Sequence, residues 1–172
     1  MRYYVLATDY DGTIASHGKV DKKTVEALKA CKDSSRKIIL VTGRELKDLK
    51  NVFPEIELFD LIVAENGALI FDPKTRNEIL LGERPPQNFI DELIQNNVAP
   101  LSIGKVIVAT WEPNEAIVLQ AIHHAHIEYQ VIFNKGAVMV LPPGINKASG
   151  LQAALDHLQM SAHNAVARRC RE

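Results

Sequence analysis

The chain has 172 residues, enough for one ordinary domain or for a core carrying a small insert. With 47% hydrophobic and 24% charged residues its composition is that of a soluble globular protein. A formal net charge of −1 gives no global field favouring nucleic acid or a membrane surface, and no apolar run approaches the ~18 residues that span a bilayer.

Tyr3, Tyr4, Val5, Leu6 and Ala7 read as a buried strand, almost continuously apolar as parallel strands are. Asp9-Tyr10-Asp11-Gly12-Thr13 follows where that strand should stop. Gly12 permits a sharp turn, and ligands of open α/β sheets sit beyond the carboxyl ends of strands. Asp9 and Asp11 therefore stand where such folds do their chemistry; the plain alternative is an Asp-Gly turn. The chain opens on this strand without a signal-peptide pattern. Its two cysteines, Cys31 and Cys170, lack metal-ligand spacing, so a reducing cytoplasm is the expected setting.

Asp21 has the features of an N-cap for a helix running to about Lys32, with Val25, Leu28 and Ala30 in helical spacing. Ile38-Ile39-Leu40-Val41 is a short buried strand, ending in Thr42-Gly43-Arg44 before a second helix with Leu46, Leu49 and Val52. The β-α-β-α rhythm predicts a parallel sheet with right-handed crossovers. A hydroxyl, a glycine N–H and a helix start make Thr42, Gly43 and Arg44 a candidate phosphate cradle, against the plain reading of a βα loop with Arg44 in solvent.

Leu61-Ile62-Val63-Ala64 is a third strand. It leads into Glu65-Asn66-Gly67-Ala68, and Asn-Gly between apolar runs signals a hairpin. Asn66 is a candidate substrate contact there, while Glu65 has no reading beyond the turn. Strands at Leu69–Phe71 and around Asn77–Leu81 follow.

Gly82 to Pro86 breaks regularity and marks a boundary. Beyond it lie an amphipathic helix with Phe89, Ile90, Leu93 and Ile94, and a strand over Val106–Trp111. Pro113 then opens a helix with Ile117, Leu119, Ala121 and Ile122. A hairpin joins Tyr129–Phe133 to Ala137–Leu141 across Asn134-Lys135-Gly136, with one more short strand near Leu101. Residues 83–143 are thus expected to form a small inserted α/β domain, and residues 1–82 and 144–172 a discontinuous core. His123, His124 and His126 do not share a helix face and sit near a helix C-terminus, which favours a surface role over metal ligation. Trp111 is expected to pack between the domains or within the insert, with substrate stacking as the alternative.

Pro142-Pro143-Gly144 returns the chain to the core, where Ile145-Asn146-Lys147-Ala148 opens a helix with Leu151, Ala154, Leu155 and Leu158. The helix dipole disfavours a cation in a first turn. Lys147 there calls for an anion, either a phosphate or the Asp carboxylates; an exposed helix lysine is the alternative.

Four segments, Asp9-Tyr10-Asp11-Gly12-Thr13, Val41-Thr42-Gly43-Arg44, Glu65-Asn66-Gly67-Ala68 and Gly144-Ile145-Asn146-Lys147-Ala148, occur in this order over nearly the whole chain. Together they resemble the haloacid dehalogenase (HAD) superfamily of phosphatases, and within it the sugar-phosphatase-like, Cof-type (type IIB) group with an inserted cap. The resemblance implies a Rossmann-like core with a parallel sheet and an α+β cap, with Asp9 as nucleophile and Asp11 as general acid and base. Gly12, Thr13, Thr42, Gly43, Arg44 and Asn66 would surround the phosphate or substrate. Lys147 would neutralise both phosphate and Asp9. Mg²⁺ would be held by Asp9 and Asp11, the latter through its carbonyl. It further implies hydrolysis of a small phosphorylated metabolite, a sugar phosphate or a phosphoglycolate-like acid, without nucleic-acid or membrane partners. A phosphomutase shares these motifs. A receiver-type signalling domain lacks both the first-strand loop and the insert, and a non-catalytic phosphate-binding remnant is a further alternative.

The family's fourth, acidic segment has no counterpart. After Asn164-Ala165-Val166-Ala167 the chain reads Arg168-Arg169-Cys170-Arg171-Glu172. Those five residues can be encoded CGG CGA TGC CGA GAA, which one base later reads Gly-Asp-Ala-Glu. A frameshifted, truncated phosphatase is therefore expected, with last core strands missing, weak Mg²⁺ binding, impaired turnover and self-association through exposed apolar surface. The gene sequence tests this: an alternate frame that encodes no acidic loop refutes it.

Overall fold

A computed structural model describes residues 3–168. Its central sheet has six strands: β1 (Val5–Asp9), β4 (Lys37–Val41), β5 (Leu61–Ala64), β6 (Leu69–Phe71), β7 (Glu78–Leu80) and β12 (Ala165–Arg168). They lie in the order β12-β1-β4-β5-β6-β7. The first four are parallel, and β6 and β7 are added antiparallel. This is the α/β architecture with a mostly parallel sheet that the alternating strand and helix patterns predict.

Period-two alternation divides the sheet residues between two cores. From β4, Ile38 and Leu40 join Tyr10, Phe53, Phe59, Ile62 and Phe71 on one face. Helices α1 (Lys22–Asp33) and α2 (Leu46–Val52) cover that face through Leu28, Leu46 and Leu49. Ile39 and Val41 turn to the other face with Val5, Leu61, Val63 and Ile70, beneath Ala154 and Leu155 of α5 (Lys147–His157). Asp21 caps α1 by accepting a hydrogen bond from Thr24 N at 2.7 Å. A two-residue turn at His17 and Gly18, both in the left-handed region, joins the short strands β2 (Ala15–Ser16) and β3 (Lys19–Val20).

The chain divides into two compact units. One comprises the residues up to Leu81 together with those from Asn146 onward, and the other is Gly82–Ile145. In the second, β8 (Ser102–Ile103), β9 (Val108–Trp111), β10 (Gln130–Asn134) and β11 (Ala137–Leu141) form an antiparallel sheet in the order β10-β11-β9-β8. Helices α3 (Gln87–Gln95) and α4 (Glu115–His124) pack Phe89, Leu93, Val118 and Ala121 against Val108, Val138 and Val140.

Several local expectations need correction. Tyr3 and Tyr4 are exposed, because the strand begins at Val5. Ile94 and Leu119 are also exposed: Val118, one position away, shares the buried face with Ala121. The strand expected from Val106 begins at Val108, although Val106 and Ile107 are buried. The β10–β11 turn is tighter than expected, with only Lys135 and Gly136 between strands. Trp111 is 49% exposed and its ring lies beside Gly136. His124 Nδ1 pairs with Glu92 Oε1 at 2.7 Å. Among the described residues no helix is long and apolar enough to cross a membrane. The tail residues on which the frameshift expectation rests, from Arg169 on, lie outside the described residues.

Candidate active site

Three loops at the carboxyl ends of β1, β4 and β5 meet the N-terminus of α5. Asp9 is the last residue of β1, and its side chain is only 17% exposed. Its Oδ1 accepts from Tyr10 N at 3.0 Å and from Lys147 Nζ at 3.0 Å. Oδ2 has no protein partner among the described residues. The loop then curls on itself: Thr13, Ile14 and Ala15 N–H groups all donate to Tyr10 O, and Gly12, at φ 74°, donates to Ala15 O. Asp11 projects from this loop with its side chain half exposed.

The β4 and β5 loops are tied together by backbone. Asn66 N donates to Thr42 O at 3.1 Å and Glu65 N to Arg44 O at 2.9 Å. Glu65 and Asn66 adopt φ of 50° and 55°, so the hairpin expected at Asn66-Gly67 is built from consecutive left-handed residues. Thr42 is fully buried. Its hydroxyl accepts from Arg44 N at 3.1 Å, which leaves the hydroxyl proton free for another acceptor. Gly43 lies beside the Asn66 side chain, with a built Cβ falling 3.9 Å from Asn66 Oδ1.

Lys147 is brought to Asp9 by an unusually close helix approach. A Cβ on Gly67, whose φ is 107°, would lie 2.0 Å from Asn146 O. One on Gly150 would lie 2.6 Å from Gly67 Cα. Only glycines permit this contact between α5 and the β5–β6 turn. Asn146 fixes the start of the helix by accepting from Ala148 N and Ser149 N, while Ser149 Oγ accepts from Asn146 N. Of the anions that a first-turn lysine calls for, the structure places Asp9 against Lys147.

The Arg44 side chain bridges the β1 loop and α2. Its Nε and Nη2 donate to the two oxygens of Asp11, each at 2.8 Å, and Nη1 donates to Asp48 Oδ2 at 2.6 Å. The bonds to Asp11, partly offset by burial and reinforced by Asp48, push its pKa above an already high ordinary value, so the guanidinium is always charged. It lies 5.4 Å from the centre of the Tyr10 ring. Tyr10 is buried, which raises its phenol pKa and keeps it a neutral donor to Gly18 O at 3.0 Å. Asp48 had no place in the sequence reading. Its signal is the spacing Arg44/Asp48, an i,i+4 pair at a helix start.

Asp9 and Asp11 are the acidic pair at these loops, and no cluster of three or more His, Cys, Asp or Glu side chains suited to a metal exists among the described residues. Mg²⁺ is commonly held by one or two carboxylates, with substrate phosphate and water completing its shell. Asp9, with one oxygen unpaired, fits that mode. Thr13 Oγ1 is a buried polar atom of the same loop without a partner in the protein, which leaves a donor and acceptor for a bound group.

Residues 6–100, more than half of the chain, match the family model of haloacid dehalogenase-like hydrolases. YxeH of Bacillus subtilis (strain 168), whose name carries the word phosphatase, is 35% identical over 82 residues, 45% of this chain and 30% of that protein. The glucosyl-3-phosphoglycerate/mannosyl-3-phosphoglycerate phosphatase of Persephonella marina is 30% identical over 71 residues, 41% of this chain and 26% of that protein. The chain thus matches less than a third of either curated relative's length. Among solved structures, a haloacid dehalogenase-like hydrolase from Bacteroides thetaiotaomicron superposes with a TM-score of 0.70 at 14% identity, covering 96% of this chain and 81% of the other. The HAD subclass IIB sugar phosphatase BT4131 gives 0.69 at 18% identity, covering 95% and 79%. The chain belongs to the haloacid dehalogenase-like hydrolase family.

Proposed function

We propose that the chain hydrolyses phosphomonoesters of small phosphorylated metabolites, a sugar phosphate or a phosphoglycolate-like acid, through an aspartyl-phosphate on Asp9. The observation that carries this reading is the Lys147 Nζ to Asp9 Oδ1 contact at 3.0 Å, with Asp11 two residues further along the same loop. A carboxylate held at a strand end beside a cation is fixed in place and its charge partly offset, as a nucleophile facing an anionic ester requires. The hydroxyl of Thr42, the N–H of Gly43, Gly12, Thr13 and Asn66 are the groups assigned to the phosphoryl and its substrate.

In the first step an Asp9 oxygen forms a bond to phosphorus as the bond from phosphorus to the ester oxygen breaks. The proton of Asp11 passes to the departing alcohol oxygen, which a poor leaving group requires. In the second step water attacks phosphorus and gives its proton back to Asp11, while Asp9 leaves as carboxylate. Lys147 reduces the repulsion between an anionic nucleophile and an anionic ester. Asp9 and the Asp11 carbonyl are the groups that would hold Mg²⁺, whose bound charge would further offset that repulsion. The relatives named for sugar and glycosyl phosphoglycerate phosphatase activity support a phosphorylated metabolite as substrate.

The test is a screen of small phosphomonoesters with added Mg²⁺, for the unsubstituted chain and for Asp9→Asn. Turnover should vanish in the variant, and a phosphate adduct on the peptide bearing Asp9 should be trapped only from the unsubstituted chain. Equal turnover by the variant would refute Asp9 as nucleophile.

A further inference from the structure

We propose that Asp48 is a specificity-determining residue: by matching the charge of Arg44 beside the Asp11 loop, it withholds a cation from the leaving group and selects phosphate esters of uncharged alcohols over those of hydroxy acids. The proposal deepens the phosphatase reading given above and rests on its placement of the leaving group at Asp11.

Arg44 supplies the guanidinium on that side. Nε and Nη2 lie 2.8 Å from the Asp11 oxygens, and the group sits 5.4 Å from the centre of the Tyr10 ring. Its backbone is held as well, with the N–H on Thr42 Oγ1 at 3.1 Å and the carbonyl accepting from Glu65 N at 2.9 Å. A guanidinium fixed beside a substrate is ordinarily a carboxylate receptor, because its planar fork matches two oxygens and its charge is permanent. The ester of a hydroxy acid offers such a carboxylate, and the ester of a sugar does not.

Asp48 cancels that charge. Its Oδ2 accepts from Arg44 Nη1 at 2.6 Å. It stands in the first turn of α2, which Leu46 and Leu49 anchor in the core. Arg44 is mostly shielded from water and Asp48 is half exposed, so their charges act on a neighbour more strongly than in bulk water and less than in a dry interior. A cation and an anion side by side present no net charge to an incoming carboxylate, whatever the state of Asp11. Lys147 is no substitute: it is committed to Asp9 at 3.0 Å, and so to the phosphoryl end that every ester shares.

Glycerol 3-phosphate and 3-phosphoglycerate test this, because they share a primary ester and differ by a hydroxymethyl group against a carboxylate. The unsubstituted chain should favour the former in kcat/KM. In Asp48→Asn the ratio should move toward 3-phosphoglycerate by at least about threefold at about 0.01 M ionic strength, and the move should shrink in about 1 M salt, where charges are screened within roughly 3 Å. Asp48→Glu keeps the charge and should keep the original ratio. A merely structural role for Asp48 would lower both esters together and leave the ratio where it was. An unchanged ratio in Asp48→Asn, a move that salt leaves intact, or a preference of the unsubstituted chain for 3-phosphoglycerate would overturn the proposal. An unsubstituted chain that turns over neither these nor other phosphomonoesters would overturn the phosphatase reading instead. Calorimetric Kd values for the two esters then judge the charge match alone, and absent binding or an equal ratio in Asp48→Asn overturns it as well.

Discussion

Replacing Gly150 with alanine puts the helix that carries Lys147 under direct strain. The added methyl would fall 2.6 Å from both the Cα and the O of Gly67, and 2.7 Å from Val63 Cγ1. Two of these atoms are backbone, and the turn they belong to is pinned by the bonds from Glu65 N and Asn66 N to the β4 loop. The contact cannot be relieved by rotating a side chain, so α5 must lift. Overpacking of this kind costs about 1–3 kcal/mol. Alanine is favoured over glycine in a helix by at most about 1 kcal/mol. Contacts this short with backbone put the cost in the upper part of that range, so sterics win by up to about 2 kcal/mol, and at about 2–4 °C per kcal/mol for a chain of this size Tm should fall by up to about 8 °C. Lifting the helix also draws Lys147 from Asp9, now 3.0 Å apart. A displacement near 1 Å can cost as much as about 10²-fold, so kcat/KM should fall at least about tenfold. Thermal unfolding followed by circular dichroism, with phosphomonoester turnover on the same samples, gives both numbers. An alanine variant with equal or higher Tm and unchanged kcat/KM would refute the contact and its role.

Asp60, 7% exposed, accepts from Ile38 N at 3.0 Å and pairs with Lys37 at 3.1 Å and Lys74 at 3.5 Å. Burial alone would raise its pKa, but the Ile38 N–H and the two lysines hold it below the ordinary carboxylate range. Its stabilisation is therefore complete above the unfolded value of about 3.9 and is lost as pH falls through the lower folded value. Asp60→Asn should cost about 1–2 kcal/mol near neutrality, because both lysines are partly hydrated, and should flatten the acid limb of stability against pH. An unchanged acid limb would contradict this. Asn66→Gly keeps a residue at ease at φ 55° while removing the amide beside Gly43, so Tm should hold within about 2 °C while KM for the ester rises. An unchanged KM would remove Asn66 from the substrate contacts.

What was legible in the sequence were features fixed within a few residues of one another. The carboxylates at the end of β1 followed from an apolar run broken by Asp-x-Asp-Gly. The start of α1 followed from Asp21, and the hairpin from Asn66-Gly67. Pairings across the chain were not legible in this way. Lys147 calls for an anion, but that Asp9, 138 positions away, lies within 3.0 Å of it is visible only in the fold. Arg44 follows Thr42 and Gly43, but its pairing with Asp11 joins loops 33 residues apart, which no local pattern reveals. Gly150 carries only a weak sequence signal, because a glycine inside a helical pattern costs about 1 kcal/mol against alanine without saying what it packs against. The exposure of Leu119 is not legible because a largely apolar helix such as α4 does not define its buried face by composition alone.

The distance in sequence between Asp9 and Lys147, 138 positions, sets a physical problem that the fold answers at the ends of the second unit. Asp9 and Lys147 must meet within 3.0 Å although Gly82–Ile145 intervenes between the β-strands and α5. A flexible loop of that length would add roughly 4 kcal/mol of closure entropy. Folding the insert into its own core removes most of that cost only if its two ends emerge together. They do: a Cβ on Gly82 would lie 2.5 Å from Ile145 Cδ1 and 3.1 Å from Pro142 Cγ, so the chain enters and leaves in contact. Gln130 adds a clasp, its Nε2 donating to Pro142 O at 3.0 Å and Ile145 O at 2.6 Å. At Gly82 the close atoms are side chains that can shift, whereas at Gly67 and Gly150 they are backbone and glycine is required by space. The two glycines let α5 and the β5–β6 turn come close enough for a first-turn lysine to reach a strand-end carboxylate.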